Sequence, residues 1–117
     1  MSKFLAAHSQ FIGKGYFYGK LYQVTWFPGA VLSVNTSSKV YGMVFKIENP
    51  EGVFIVLDDY EGIGEHYPEP QLFKKVFTTA YLEDGTTLKT RVYLYNLPVN
   101  GLKQITSGDY LNNSVDN

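Results

Sequence analysis

The segment from Asn49 to Gly62, Asn-Pro-Glu-Gly-Val-Phe-Ile-Val-Leu-Asp-Asp-Tyr-Glu-Gly, constrains the fold most, because it carries signals for both ends of a helix. Asn49 predicts an N-cap, and Pro50 fits the first helical position, where its missing N–H is not needed. Gly62 suits the left-handed residue that follows a last turn. Between these ends, an apolar stripe with the spacing of one helical face comprises Val53, Val56, Leu57 and Tyr60. The apolar run within the segment also has strand propensity, but the caps and the spacing favour a short helix.

The acidic residues near the end of this helix are not equivalent. At about 100° per residue, Asp58 and Asp59 fall on flanks away from the apolar stripe, whereas Glu61 lies beside it, one turn after Leu57. Burial and the negative end of the helix dipole both disfavour the ionised form of Glu61, so we expect its pKa to be raised. A carboxylate that titrates nearer neutral pH suits general acid–base catalysis. The alternative is a solvated acid at a helix end, and the pattern alone leaves it open.

Length and composition predict one sheet-rich domain. The 117 residues are enough for one core, and a hydrophobic content of 44% with 16% aromatic residues favours packed strands. The net charge is −1 and the lysines are scattered, which argues against nucleic acid as the main partner, because phosphate binding needs a concentrated basic face. Cysteine is absent, no signal peptide opens the chain, and no apolar run approaches the roughly 20 residues that cross a bilayer. We therefore expect a cytoplasmic protein with no membrane partner.

The rest of the chain is predicted to be mostly strands. Alternating apolar residues from Lys39 to Ile47 indicate a strand with one buried face. The clearest hairpin has arms at Gln71–Leu82 and Thr87–Asn96, joined through an Asp-Gly pair that suits a tight turn. Weaker signals predict, in chain order, a helix at Ser2–His8, glycine-interrupted strands between Phe11 and Val24, a turn at Trp26–Gly29, a loop at Ile63–Pro70 and a loose tail at Asn112–Asn117.

Other catalytic and metal-binding patterns are weak or absent. The loop after the helix holds Glu65, His66 and Glu69, but nothing in their spacing fixes a ligand geometry, so no metal site is predicted. No Gly-x-Ser-x-Gly elbow, phosphate loop or dinucleotide fingerprint occurs. In the second arm of the hairpin, Tyr93 and Tyr95 alternate with apolar residues. That face either presents two phenols to a pocket or packs as an ordinary strand face.

Several short motifs follow one another in a characteristic order. The most specific is Leu57-Asp-Asp-Tyr-Glu-Gly62, and the weaker ones are Phe11-Ile-Gly13, Gly19-Lys-Leu-Tyr22, Phe27-Pro-Gly29, Val40-Tyr-Gly42, Val92-Tyr-Leu94 and Ser107-Gly-Asp109. Together they resemble the gamma-glutamylcyclotransferase-like family, which includes the AIG2-like proteins, from Phe4 to about Tyr110. The resemblance implies an α+β fold over a single domain of residues 1–117: a small, mixed, mostly antiparallel β-barrel flanked by short helices.

The resemblance also implies a site around Glu61. In the family, the glutamate of the Tyr-Glu-Gly motif is the acid/base, which here is Glu61, and the tyrosine of the later strand lines the substrate pocket, which here is Tyr93. Tyr67 and Gly19 are further candidates for contact with substrate. The implied reaction converts a gamma-glutamyl amide or dipeptide to 5-oxoproline and a free amine, without metal or cofactor. The substrate's own α-amine attacks its side-chain carbonyl, so the enzyme mainly holds the substrate in a near-attack shape.

One departure from the family concerns its first motif. Family members begin with a strand and a Tyr-Gly-(Thr/Ser)-Leu loop whose backbone N–H groups hold the substrate, and we expect this chain to start after that point. Tyr18–Leu21 has a similar pattern but occupies the position of the later Gly-x-Leu-Tyr strand, so it is not a substitute. Two alternatives to an enzyme therefore stay open. One is a non-catalytic domain that binds a small metabolite or a protein, and the other is a domain that pairs an open sheet edge with a partner chain.

Overall fold

The computed structural model describes residues 7–64 and 67–110. Within these ranges, six strands and one complete helix follow one another as β1 (Ser9–Gln23), β2 (Pro28–Leu32), β3 (Lys39–Ile47), α1 (Pro50–Tyr60), β4 (Phe73–Leu82), β5 (Thr87–Tyr95) and β6 (Lys103–Ile105). None of the helices in these ranges has the length and apolar character needed to cross a bilayer. Most of the helix predicted at Ser2–His8 and the tail at Asn112–Asn117 lie outside the described residues.

Strand β1 organises the sheet, because different parts of its 15 residues pair with four other strands. Its first part pairs antiparallel with β3, its last part pairs with β2 and β6, and Gly15 and Tyr16 pair with β4. The register with β3 shifts between Phe11 and Gly13, so the predicted interruption at the glycine is a bulge within one strand rather than a break between two strands. Gly15 also permits close packing, since a Cβ there would lie 2.7 Å from the carbonyl oxygen of Tyr81.

Helix α1 begins and ends where the sequence predicts. The side-chain oxygen of Asn49 accepts a hydrogen bond from the N–H of Gly52 at 3.4 Å, and Pro50 is the first helical residue. Gly62 follows the helix with a φ of +73°, in the left-handed region that favours glycine. The helix prediction and both of its caps are confirmed.

The buried face of α1 differs from the predicted stripe. Val53 and Leu57 are buried, whereas Val56 is 40% exposed and Tyr60 is 62% exposed. The contacts made by the helix explain the difference, because the flank that carries Phe54 packs against the hairpin of β4 and β5. The contact face is therefore rotated by part of a turn toward that flank. The prediction that Val56 and Tyr60 belong to the buried stripe is wrong.

The β4–β5 hairpin supplies one wall of the core. Its strands pair antiparallel from Phe73 opposite Tyr95 to Tyr81 opposite Thr87, and the turn includes Gly85 with a φ of +88°, as the Asp-Gly pair predicts. One face of β5 enters the core, whose buried members are Leu21, Ala30, Val40, Leu94 and Ile105. The opposite face of the hairpin turns toward α1. The hairpin therefore separates the core from the surface on which the helix lies.

The described strands do not close into a barrel. They form one sheet with the path β2-β1-β4-β5, in which β3 and β6 each pair with β1. Within residues 7–64 and 67–110, no pairing joins β3 to β5, so the sheet is open between them. In the described part of the chain, the fold is thus a mostly antiparallel sheet with one complete helix. The three-residue strand β6 pairs with β1 at Leu21 to Gln23.

Candidate active site

Helix α1 and the hairpin are joined by a hydrogen-bonded cluster at Asp58. The Tyr93 hydroxyl donates to Asp58 Oδ1 at 2.6 Å, and Lys75 Nζ donates to Asp58 Oδ2 at 2.7 Å. Lys75 and Tyr93 are directly opposite each other in the β4–β5 register, so their side chains lie on the same face of the hairpin. One carboxylate from the helix is therefore held by one residue from each strand, with its charge compensated by the lysine.

Glu61 is the residue that caps the C-terminal end of α1. Its N–H donates to the carbonyl oxygen of Leu57 at 3.0 Å, which continues the helical hydrogen bonds by one residue. The side chain is partly buried, and this burial raises the pKa of Glu61 above its ordinary value, in the direction predicted. In the described part of the chain, no hydrogen bond or ion pair engages its carboxylate. Glu61 is thus a partly dehydrated carboxylate that is available to a ligand.

The pKa of Tyr93 is affected by the negative charge of Glu61, among other causes. Burial raises the pKa of the Tyr93 phenol, and the hydrogen bond to Asp58 and the negative charges of Asp58 and Glu61 raise it further, while Arg91 opposes them. The phenol therefore stays protonated and donates a hydrogen bond to Asp58. Tyr95, two residues later on the same face, is buried against Phe73, with ring centroids 6.1 Å apart. Of the two phenols predicted for this face, Tyr93 is the one that lines the cleft and whose pKa is raised by the charge of Glu61.

The other two candidates from the sequence have different surroundings. The Tyr67 hydroxyl lies 2.8 Å from Asp59 Oδ1 and 3.0 Å from the Asp59 carbonyl oxygen, and the hydrogen bond to the carboxylate raises the pKa of Tyr67. It fastens the loop after the helix to the last helical turn. Gly19 is buried within β1, where its N–H donates to the carbonyl oxygen of Ser38 at 3.1 Å. Neither set of contacts includes Glu61 or Tyr93, so the roles of Tyr67 and Gly19 in substrate binding stay predictions.

A cleft of 490 Å³ opens next to Tyr93, between β3, α1 and the hairpin. Its lining includes apolar residues of β3 and α1 together with Phe77, Lys89, Arg91 and Tyr93 of the hairpin. The Phe54 ring contacts two cations, since Lys75 Nζ and the guanidinium carbon of Arg91 are each 4.6 Å from its centroid. The cleft is therefore an aromatic-lined space with basic side chains along one wall.

Sequence reasoning missed Asp58 and the basic residues of the hairpin. Asp58 follows Phe54 by four residues, so the two side chains share a helical face. The sequence signal for Asp58 was therefore its spacing from Phe54. Lys75 with Phe77, and Lys89 with Arg91 and Tyr93, are spaced by two residues and therefore share strand faces. In residues 7–64 and 67–110, no group of three metal-ligating side chains is found, and Glu65 and His66 lie outside the described residues.

Comparisons with known proteins concern the fold and the family of this chain. The solution NMR structure of the protein ytfP from Escherichia coli is similar at 25% identity with a TM-score of 0.63, covering 94% of this chain and 84% of that chain. The crystal structure of the uncharacterized protein PH0828 from Pyrococcus horikoshii shares the fold at 18% identity with a TM-score of 0.65, covering 99% of this chain and 82% of that chain. No curated protein matches. A family model described as gamma-glutamyl cyclotransferase, AIG2-like, matches residues 1–112, and the chain therefore belongs to the AIG2-like gamma-glutamyl cyclotransferase family.

Proposed function

We propose that this protein is a gamma-glutamylcyclotransferase, which converts a gamma-glutamyl amide or dipeptide to 5-oxoproline and a free amine, with Glu61 as the acid/base. The observation that carries the proposal is the Glu61 carboxylate, which is partly buried, has a raised pKa and carries a charge that raises the pKa of the Tyr93 phenol, in a member of this family. Independence of metals and cofactors and a cytoplasmic location are parts of the same proposal. Tyr67 and Gly19 are proposed as further substrate contacts.

The proposed reaction balances without water. The substrate's α-nitrogen attacks its own side-chain carbonyl carbon, a new carbon–nitrogen bond closes the five-membered lactam, and the amide bond to the leaving amine breaks. Two protons leave the α-ammonium and two reach the leaving nitrogen, so charge is conserved. Glu61 takes the two protons from the α-nitrogen one after the other and passes each of them to the leaving nitrogen. A carboxylate of raised pKa does both better than one of ordinary pKa, because its proton affinity is closer to those of the groups that it serves.

Tyr93 is proposed to orient the substrate's α-nitrogen. A phenol has one proton and two acceptor lone pairs, and the proton of Tyr93 is committed to Asp58 at 2.6 Å. The lone pairs are therefore left to accept a hydrogen bond from an ammonium group. Placing that nitrogen beside Glu61 would hold the substrate in the bent shape that ring closure needs. Asp58 and Lys75 then act as positioning residues, since they fix which way the Tyr93 hydroxyl points.

Product identification tests this proposal. The protein is incubated with a gamma-glutamyl dipeptide and with a gamma-glutamyl alkylamide, and 5-oxoproline, glutamate and free amine are quantified by mass spectrometry. We expect equal amounts of 5-oxoproline and free amine, and a rate at least about 100-fold lower for Glu61→Gln. Glu51→Gln is the matched control, because Glu51 is an exposed acid in the first turn of the same helix and should keep the full rate.

Two other outcomes would contradict the proposal. Release of glutamate instead of 5-oxoproline would mean that water, rather than the α-amine, attacks the carbonyl. Saturable binding of the substrates with no product would favour the alternative of a non-catalytic metabolite-binding domain with the same fold.

A further inference from the structure

Two basic residues of the cleft have no acidic partner in the described part of the chain. Lys89 and Arg91 lie on the face of β5 that turns toward α1, and neither forms an ion pair there. The nearby Asp58 carboxylate is already engaged by Lys75 and Tyr93. The wall of the cleft therefore presents two uncompensated positive charges, in a protein whose overall net charge is −1.

Aromatic rings hold both cations in place. The guanidinium carbon of Arg91 lies 4.6 Å from the centroid of Phe54 and 5.2 Å from that of Phe77, and Lys89 Nζ lies 4.9 Å from the centroid of Phe77. In the described part of the chain, no hydrogen bond engages the Arg91 guanidinium, so its N–H groups are available to bind a carboxylate with two parallel hydrogen bonds. Part of the side-chain ordering that such binding requires is therefore present before the anion arrives.

The position of these cations relative to Glu61 defines which part of a substrate they would meet. Phe54 and Glu61 are seven residues apart, so the rise of a helix separates them by about 10 Å. Tyr93 is the last β5 residue in the cleft lining, and Arg91 and Lys89 precede it on the same face of that strand, two and four residues away from it. A substrate whose reacting amide sits between Glu61 and Tyr93 would therefore extend its leaving half along the cleft toward the cations.

We infer that Lys89 and Arg91 form an anion subsite that binds a carboxylate on the leaving amine. This inference rests on the proposed function, and it adds the class of leaving group: amino acids or short peptides that end in a carboxylate, rather than neutral or cationic amines. The aromatic and aliphatic side chains between the reacting amide and the cations, Phe54 and Phe77 among them, would contact the apolar part of that leaving group.

A pair of substrates that differ only in this charge tests the subsite. Gamma-glutamyl-alanyl-glycine and its C-terminal amide are compared by kcat/KM for 5-oxoproline release; a leaving dipeptide is used because each extended residue spans about 3.5 Å. We expect the wild-type protein to prefer the carboxylate by about tenfold or more, the discrimination typical of a hydrogen-bonded charge. Arg91→Gln should bring the ratio of the two values close to one, and Lys89→Gln should lower it in part.

Lys74→Gln is the matched control. Lys74 precedes Lys75 in β4 and so points to the opposite face of the hairpin, where it pairs with the core residue Leu94. The Lys74→Gln substitution removes one positive charge from the same hairpin, and we expect the ratio of the two kcat/KM values to stay as in the wild type. A preference that follows only the total charge would fall equally in Lys74→Gln and Arg91→Gln, and that result would overturn the subsite.

The remaining outcomes separate the subsite from the proposed function. Equal kcat/KM values for the two substrates in the wild type, or a ratio unchanged in Arg91→Gln, would overturn the subsite while the cyclotransferase proposal stands. If neither substrate gives 5-oxoproline, the proposed function fails and a binding experiment decides on the subsite. N-acetyl-alanyl-glycine is then titrated while the Arg91 side-chain N–H signal is followed by NMR. A saturable shift that is absent with the C-terminal amide supports the subsite, and no saturable shift overturns it.

Discussion

The hydrogen bond between Tyr93 and Asp58 should be measurable as a coupling energy, because it joins the helix to the hairpin. Its oxygen–oxygen distance of 2.6 Å is that of a charge-assisted hydrogen bond. Hydrogen bonds to charged groups contribute about 1.5–3 kcal/mol to stability. The Asp58 side chain is 24% exposed and keeps Lys75 as a partner, so we expect the lower part of that range. Tyr93→Phe should therefore cost about 1.5 kcal/mol of unfolding free energy.

A double-mutant cycle with Tyr93→Phe and Asp58→Ala isolates this interaction, because each single substitution removes one partner of the hydrogen bond. Urea unfolding followed by circular dichroism should give a coupling energy of about 1 kcal/mol, and the Tyr93→Phe midpoint temperature should fall by about 5 °C. Tyr60→Phe is the control, because Tyr60 is exposed on the same helix, and its effect should stay within about 0.5 kcal/mol. A coupling energy indistinguishable from zero, or a Tyr93→Phe variant as stable as wild type, would refute the contact between helix and hairpin on which the site is built.

Three further predictions concern the fold and the ionisation of Glu61. Leu57→Ala should cost about 2–5 kcal/mol, because Leu57 is buried in the contact face of α1, while Val56→Ala should cost well under half of that; equal losses in urea unfolding would show that the contact face is assigned incorrectly. Gly108→Ala should destabilise the protein far more than Gly85→Ala. Both residues have positive φ, but a Cβ at position 108 would collide with the carbonyl oxygen of Lys39, whereas a Cβ at position 85 meets open space. Comparable midpoint temperatures of unfolding for the two variants would contradict this prediction. Glu61→Gln should be more stable than wild type at pH 7, where the native state holds a dehydrated carboxylate, and the difference should vanish below the unfolded-state pKa of about 4.3, where both side chains are neutral. The stabilising contribution of protonated Glu61 is fully present below the unfolded-state pKa and is lost as the pH rises through the raised native pKa of Glu61. A stability difference between Glu61→Gln and the wild type that does not change with pH would contradict this prediction.

Features set by local chemistry could be predicted from the sequence. The Asn49 cap, Pro50 at the first helical position and the left-handed Gly62 each depend on residues within one turn of the helix end, and all three occur as predicted. The hairpin was also predictable, because the positive φ at Gly85 is a property of the turn itself. The direction of the Glu61 pKa shift was predicted correctly, because Glu61 lies one turn after the buried Leu57 in any helix formed by this segment.

Features set by tertiary contacts could not be predicted in the same way. The spacing of Val56 and Tyr60 fits a helical face, but the helix turns the flank of Phe54 and Asp58 toward the hairpin instead, and only the position of the hairpin decides between the two faces. The region from Phe11 to Val24 was predicted as strands interrupted by glycines, whereas most of it belongs to the single strand β1, which pairs with four partner strands. Three-residue β6 is too short to show any periodicity.

The site lies between these two cases. The register set by the turn from Tyr81 to Thr87 places Lys75 opposite Tyr93, so that pair followed from the hairpin alone. The carboxylate that joins them did not, because Asp58 comes from the helix and its approach depends on how the helix packs. The local pattern thus identified Glu61 as a candidate, the family resemblance selected Tyr93, and the tertiary fold supplied the residue that orients Tyr93.

The most direct test of Glu61 as the acid/base compares two titrations of the same protein. Carbon-13 NMR of labelled glutamate side chains gives the pKa of Glu61, assigned by its loss in Glu61→Gln, and kcat/KM for 5-oxoproline release is measured over the same pH range. We expect Glu61 to titrate above the ordinary glutamate range, because burial disfavours its charged form, and the rate to rise with pH through the same midpoint. An ordinary Glu61 pKa, or a rate that rises through a different midpoint, would contradict the assignment of Glu61 as the catalytic acid/base.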